Sequence, residues 1–180
     1  FPLRWSRPST RGFQQSHLYE PQATSPSISK MTMLGFKRQS DVGYEYYDIT
    51  VGENIYYSPK LTSSKGYLAY GPYINLPAGN HTIEYLIKAE NITSFDEIIA
   101  TVDILSTYKD HYTTEHVIDA RKSIYGRDLN EGNYTSISLE LSITEETPSR
   151  LIEFRVFQTL NSDLYVKEIN VRTSNNTHIL

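Results

Sequence analysis

The chain has 180 residues, a net charge of −4 at pH 7 and no cysteine. This length is enough for one domain to bury a core without disulfide bonds, and the lack of cysteine excludes thiol catalysis and thiolate zinc sites. The negative charge argues against nucleic acid as the main partner, because binding phosphates needs a concentrated lysine and arginine surface. No apolar run approaches the roughly 20 residues that span a bilayer, so the sequence predicts no membrane span.

The first 30 residues differ in composition from the rest of the chain. They hold four of the eight prolines among many serine, threonine and glutamine residues, and they show no strand or helix period. The sequence therefore predicts an extended Pro- and Ser-rich N-terminal segment over residues 1–35. We expect a β-sandwich domain over residues 36–175 and a short C-terminal tail over residues 176–180.

After the N-terminal segment, short alternating segments rich in tyrosine, isoleucine, valine and threonine predict β-strands. The clearest is TSISLELSI, residues 135–143, in which every second residue is apolar, as in a strand with one face in water. The spacing of these segments predicts an all-β fold of about eight antiparallel strands. The other expected strands are 44–50, 53–57, 67–75, 81–89, 100–105, 151–157 and 163–171.

The last predicted strand, DLYVKEINV, breaks its own alternation. Leu164 and Val166 share one face, but the next apolar pair is Ile169 and Val171. One extra residue near Lys167 would restore the register, which indicates a β-bulge. The alternative is a strand that is covered on both faces.

The stretch YGPYINLPAG, residues 70–79, indicates a kink followed by a turn. The Gly71-Pro72 pair favours a kink early in a strand, and the Pro77-Ala78-Gly79 segment is typical of a tight reversal. The alternation resumes after residue 81. The sequence thus predicts a β-hairpin here.

A family resemblance emerges when the segments are taken together. YGPYINLPAGNHTIEYLIKA, ATVDILST, NYTSISLELSI, RLIEFRVF and DLYVKEINV resemble the strand order of galactose-binding-like jelly-roll carbohydrate-binding modules. Such modules include those appended to extracytoplasmic glycosyltransferases and glycosidases. The resemblance covers roughly residues 44–172 and implies a jelly-roll β-sandwich that binds sugar without catalysing a reaction.

The resemblance also implies candidate site residues. Jelly-roll modules stack sugars on aromatic rings, so the sugar-binding candidates are Tyr57, Tyr67, Tyr70 and Tyr73; packing within the sheet is the alternative for each. Such modules often hold a structural calcium ion (Ca2+) near the first and last strands through oxygen ligands. The implied metal ligands are Glu45, Asp48 and Glu168, with Glu53 as a further carboxylate, and solvated surface carboxylates are the alternative.

Four Asn-x-Thr sequons occur, at Asn80, Asn91, Asn133 and Asn175. They favour an extracellular or cell-surface glycoprotein.

The chain offers little for catalysis. His111 and His116 are five residues apart among acidic residues, a spacing that suits no zinc helix, and polar loop residues are the favoured interpretation of this stretch. No nucleophile elbow, phosphate loop or dinucleotide fingerprint appears. Together with the absence of these motifs, the resemblance implies a non-enzymatic carbohydrate-binding or accessory domain. The alternative is a structural subunit of a surface layer or extracellular filament that assembles through residues 1–30.

Overall fold

The structure, a computed structural model, describes residues 28–32, 40–145 and 149–174. In this part of the chain it contains eleven β-strands and a single 3-10 turn at Gly126–Asp128. The strands are β1 (Ile28–Thr32), β2 (Tyr44–Asp48), β3 (Glu53–Ser58), β4 (Gly66–Ala69), β5 (Pro72–Ile74), β6 (Gly79–Glu90), β7 (Ile98–Lys109), β8 (Thr114–Tyr125), β9 (Thr135–Ile143), β10 (Arg150–Gln158) and β11 (Asp163–Ser174).

The strands form two antiparallel sheets that pack face to face. The six-stranded sheet has the order β2-β3-β11-β6-β9, with β1 also paired to β11. The five-stranded sheet has the order β4-β10-β7-β8, with β5 also paired to β10. The predicted all-β jelly-roll sandwich is confirmed, with more strands than expected. No helix in the described ranges is long and apolar enough to cross a bilayer.

The core lies between the sheets because side chains alternate along each strand. In β6, Ile83, Tyr85 and Ile87 point inward and are fully buried. In β10, Ile152, Phe154 and Val156 meet them from the other sheet. The alternate positions of β7 and β10 point outward, and they carry the candidate site described below.

The bulge predicted in the last strand is confirmed. Against β6, Val166 pairs with Ile87 and Glu168 pairs with Leu86, so Lys167 is the extra residue. The insertion returns Ile169 to the core side, where it is 1% exposed.

The predicted hairpin at residues 70–79 is wrong. Strands β4 and β5 both pair with β10 of the five-stranded sheet, whereas β6 pairs with β9 and β11 of the six-stranded sheet. The segment between them therefore crosses from one sheet to the other. The predicted kink is present: Gly71, with φ +112, separates β4 from β5, and the Gly71-Pro72 peptide bond is cis.

Two strands lie where none was expected. The polar stretch around His116 is not a loop, because residues from Thr114 onward form the long edge strand β8. Strand β1 falls inside the predicted N-terminal segment and pairs with β11 of the same chain. Residues 1–27, 33–39 and 175–180, including the rest of both predicted tails, lie outside the described residues.

Candidate functional site

An open pocket of about 340 Å³ lies on the outer face of the five-stranded sheet. Its lining combines two aromatic rings, two hydroxyl groups and a charged pair. The residues are Tyr67, Phe157, Thr101, Ser123, Asp103 and Arg121.

The register of the sheet places these side chains in two rows across the strands. In the first row Tyr67 of β4 lies opposite Phe157 of β10, which lies opposite Thr101 of β7, and Thr101 lies opposite Ser123 of β8. In the second row Asp103 of β7 lies between Arg155 of β10 and Arg121 of β8. Cross-strand neighbours on one face are close enough to interact directly.

The second row is a compact charge network. Arg155 donates to both carboxylate oxygens of Asp103, Nε to Oδ1 at 2.6 Å and Nη2 to Oδ2 at 2.9 Å. Arg121 donates to Oδ2 through Nη2 at 3.0 Å and Nε at 3.3 Å. Burial alone would lower the pKa of Arg155, but its hydrogen bonds and the charge of Asp103 raise it, so this guanidinium stays charged.

The aromatic wall is fixed by contacts with its neighbours. The ring of Tyr67 packs edge-on against Phe157, with 5.3 Å between centroids, and the guanidinium of Arg155 lies 4.7 Å from the Tyr67 centroid. A cation over a ring face is attracted by the ring quadrupole. These contacts hold one edge of the pocket in place before any ligand arrives.

The buried side chain of Tyr85 contacts the backbone beneath the pocket. Tyr85 of β6 crosses the core and donates from its hydroxyl to the backbone carbonyl of Asp103 at 2.8 Å. Burial raises the pKa of Tyr85 well above its usual value, so the hydroxyl remains a donor. The central residue of the charge network is therefore tied to the opposite sheet.

The structure brings two of the four predicted tyrosines, Tyr67 and Tyr70, into ring contact, and Tyr73 lies on the following strand β5. Tyr67 lines the pocket, and Tyr70 contacts Tyr67 with 6.3 Å between ring centroids. Tyr73 is 43% exposed; burial and the nearby Glu153 raise its pKa. Whether these tyrosines bind sugar stays a prediction.

The fourth predicted tyrosine, Tyr57, lies on the outer face of the other sheet. There it forms a tyrosine cluster with Tyr44, Tyr46 and Tyr165, and its ring stacks on Tyr165 with 4.5 Å between centroids. Tyr44 and Tyr46 are 53% and 42% exposed. The sequence offered no means of separating Tyr57 from the others, because sheet membership depends on tertiary pairing.

The predicted metal ligands do not fit a shared calcium site. Asp48 is buried, its Oδ1 accepts from Thr50, and its Oδ2 accepts from Lys88 Nζ and the Tyr134 hydroxyl, each at 2.9 Å. A cation would have to displace the Lys88 ammonium from this carboxylate. Burial alone would raise the pKa of Asp48, but its hydrogen bonds hold that pKa well below the usual range.

The remaining predicted carboxylates have other contacts, although Glu53 of β3 lies directly opposite Asp48 in the strand pairing. Glu45 is exposed on β2, where it lies opposite Tyr56 of β3. Glu168 of β11 accepts a hydrogen bond from Asn170 at 3.1 Å. Glu53 lies 3.8 Å from Lys167 Nζ. Among residues 40–145 and 149–174, no three histidine or acidic side chains form a group that could hold a metal. Calcium binding stays a prediction without structural support.

The three described sequon asparagines, Asn80, Asn91 and Asn133, are exposed. Asn91 Nδ2 donates to Asp163 Oδ2 at 2.6 Å, and Asn80 Oδ1 accepts from Ser142. Asn175 lies outside the described residues. The three side chains reach solvent, and glycosylation of these sites stays a prediction.

Sequence reasoning missed most of the pocket. Alternation in residues 100–105 and 151–157 placed Asp103 and Arg155 on the wet faces of their strands, but it gave no sign that they meet. Arg121 and Ser123 were missed together with β8. A paired register is a tertiary property, so only the outward direction of these side chains was readable.

Comparisons with known proteins agree with the fold. No protein-family model and no curated protein matches this chain. The CBM22-1 xylan-binding domain of Paenibacillus barcinonensis Xyn10C is similar with a TM-score of 0.50 and 10% identity, covering 86% of this chain and 99% of that domain. The C-terminal CBM6 of LamC from Zobellia galactanivorans is similar with a TM-score of 0.49 and 12% identity, covering 81% and 98%.

A third solved structure, the xylan-binding module CBM15, has a TM-score of 0.46 and 10% identity, and the match covers 83% of this chain and 97% of that module. At such identities the likeness concerns the fold, because one fold hosts many functions. The chain has the jelly-roll β-sandwich fold of carbohydrate-binding modules.

Proposed function

We propose that the chain is a non-catalytic carbohydrate-binding domain that holds a glycan in the pocket on the five-stranded sheet. The observation that carries the proposal is the first cross-strand row, in which two aromatic rings stand beside two hydroxyl groups. Neither Thr101 nor Ser123 uses its hydroxyl in a hydrogen bond within the described residues. Both side chains line the pocket, where a bound ligand would meet them.

This combination suits the chemistry of a sugar. A pyranose ring has an apolar face of C–H groups that packs on an aromatic ring, and a rim of hydroxyls that needs hydrogen-bond partners. Tyr67 and Phe157 supply the apolar surface, while Thr101, Ser123 and Arg121 supply the polar partners. The pocket is open, which suits a segment of a polymer as well as a chain end.

The wider setting belongs to the same proposal. The exposed sequon asparagines support an extracellular or cell-surface location, where the domain would bring a larger glycosyltransferase, glycosidase or other surface protein to its glycan. Filament or surface-layer assembly through residues 1–30 has less support, because Ile28, Ser29 and Lys30 pair with β11 of their own chain.

The test is a glycan-array screen followed by calorimetric titration of the best glycan. We expect Tyr67→Ala to weaken binding about tenfold, equivalent to ~1.4 kcal/mol, because the stacking surface is lost. Tyr44→Ala is the matched control, since it removes an exposed tyrosine from the other sheet. Circular dichroism and the melting temperature report folding for each variant.

Two results would contradict the proposal. One is a folded wild-type protein that binds no glycan on the array. The other is binding that Tyr44→Ala abolishes and Tyr67→Ala leaves intact, which would move the site to the tyrosine cluster.

A further inference from the structure

The charges around the pocket differ in how far solvent reaches them. The Asp103 side chain is 5% exposed and that of Arg155 is 13% exposed, whereas the Arg121 side chain keeps 49% of its surface exposed. A ligand that enters the pocket therefore meets a guanidinium and not a carboxylate.

Arg121 also keeps most of its donors. An arginine has five N–H donors, and Arg121 uses one from Nε and one from Nη2, both toward Asp103. The two N–H groups of Nη1 and one of Nη2 have no partner among the described residues. They form the end of the guanidinium fork, the geometry that binds a carboxylate or sulfate through two parallel hydrogen bonds.

The described carboxylates near Arg121 do not accept hydrogen bonds from these remaining N–H groups. Asp103 already accepts four hydrogen bonds and is shared between two guanidinium groups. The next carboxylate on this face, Glu153, lies two residues from Arg155 along β10, opposite Leu105, and is 5% exposed. It faces Tyr73 and Arg155 and does not line the pocket.

We propose that this pocket takes an acidic glycan, with a sugar ring on Tyr67 and Phe157 and its carboxylate or sulfate on the free end of Arg121, an inference that rests on the carbohydrate-binding function proposed above. A neutral sugar that covered Arg121 would remove water from a charged group without supplying an opposite charge. An anionic group compensates that loss. The hydroxyls of Thr101 and Ser123 lie beside Arg121 and bind the sugar hydroxyls.

The experiment compares glycans that differ only in charge. Calorimetry measures the dissociation constant for polygalacturonate against its carboxyl-reduced form, and for xylan against chemically sulfated xylan. The first pair tests a carboxylate and the second tests a sulfate ester. We expect the charged member of at least one pair to bind tenfold or more tightly, with an affinity that falls as salt rises because screening weakens the contact.

The variant Arg121→Gln should remove this preference while the melting temperature shows a folded protein. Arg172→Gln is the matched control, because Arg172 is 48% exposed and ion-paired to Glu84 on the other sheet. We expect the control to retain the wild-type preference for the charged glycan.

The possible failures are distinguishable. Equal affinity for the charged and neutral members of both pairs overturns the acidic preference and leaves the carbohydrate-binding function standing. Binding to no glycan overturns both. A charge preference that Arg172→Gln reduces as much as Arg121→Gln overturns the assignment to this pocket, since it would reflect general surface charge. The wild-type comparison needs no variant, so poor folding of Arg121→Gln would not remove the test.

Discussion

The buried ion pair between Lys88 and Asp48 allows a quantitative prediction. Their side chains are 5% and 3% exposed, and Nζ lies 2.9 Å from Oδ2. Replacing Lys88 by methionine keeps an apolar stem but leaves the carboxylate without its cation. Breaking a buried ion pair in this way typically costs ~3–5 kcal/mol. Because Thr50 and Tyr134 still donate to Asp48, we expect a loss of about 3 kcal/mol, near the lower limit.

The loss should depend on pH with a defined sign. The folded protein lowers the pKa of Asp48 from the unfolded value of 3.8. The carboxylate therefore stabilises the fold fully above about pH 4, and this contribution declines as the pH falls below 3.8. In Lys88→Met the unpaired carboxylate takes up a proton more readily, so the difference in unfolding free energy from wild type should shrink at acid pH.

Urea unfolding followed by circular dichroism, at neutral pH and at about pH 3.5, measures both effects. Lys122→Met is the control, because Lys122 is an exposed strand lysine of β8. The double variant Asp48→Asn/Lys88→Met should recover part of the loss, since the buried carboxylate is gone and only the more exposed Glu90, which lies 3.3 Å from Lys88 Nζ in the wild type, loses its ion-pair partner. A loss under about 1 kcal/mol at neutral pH, or a loss that does not diminish in acid, would refute the argument.

Three further outcomes are expected. Tyr85→Phe should lower the unfolding free energy by about 1 kcal/mol, because the carbonyl of Asp103 loses its donor; an unchanged urea midpoint would contradict this. Gly71→Ala should lower the unfolding free energy by about 1–3 kcal/mol through backbone strain at its φ of +112 alone, since an added Cβ meets nothing within 4 Å. Gly132→Ala, at φ +80, should lower the unfolding free energy less in the same urea titration. Calcium or a chelator should leave the melting temperature unchanged, because Lys88 occupies the Asp48 carboxylate; a calcium-dependent rise would restore the predicted metal site.

Local patterns predicted the parts of the fold that depend on one strand at a time. Strand β9 has the predicted bounds, Thr135–Ile143, because one face is buried and the other is in water throughout. The bulge at Lys167 was readable for a similar reason. The core face of a strand takes apolar residues at every second position, so an inserted residue shows in the sequence as a break in the alternation.

Features that depend on pairing were not readable. Most side chains of β8 are exposed, so the strand has no apolar face to alternate with a polar one. The turn chemistry after Asn75 was recognised, but turn residues do not say whether the next strand returns to the same sheet or crosses to the other. The meeting of Asp103 with Arg121 and Arg155 depends on the register of three strands, which no local pattern encodes.

The position of β8 at the edge of the five-stranded sheet bears on aggregation. A twelve-residue edge strand exposes backbone N–H and C=O groups that could pair with a strand of another molecule. Charged side chains such as Arg121 and Lys122, and a bulge at Asp119, make such pairing unfavourable. The same arginine that gives the pocket its accessible charge thus also disfavours pairing of this edge with another strand, so variants that neutralise β8 should be checked for self-association before any loss of binding is interpreted.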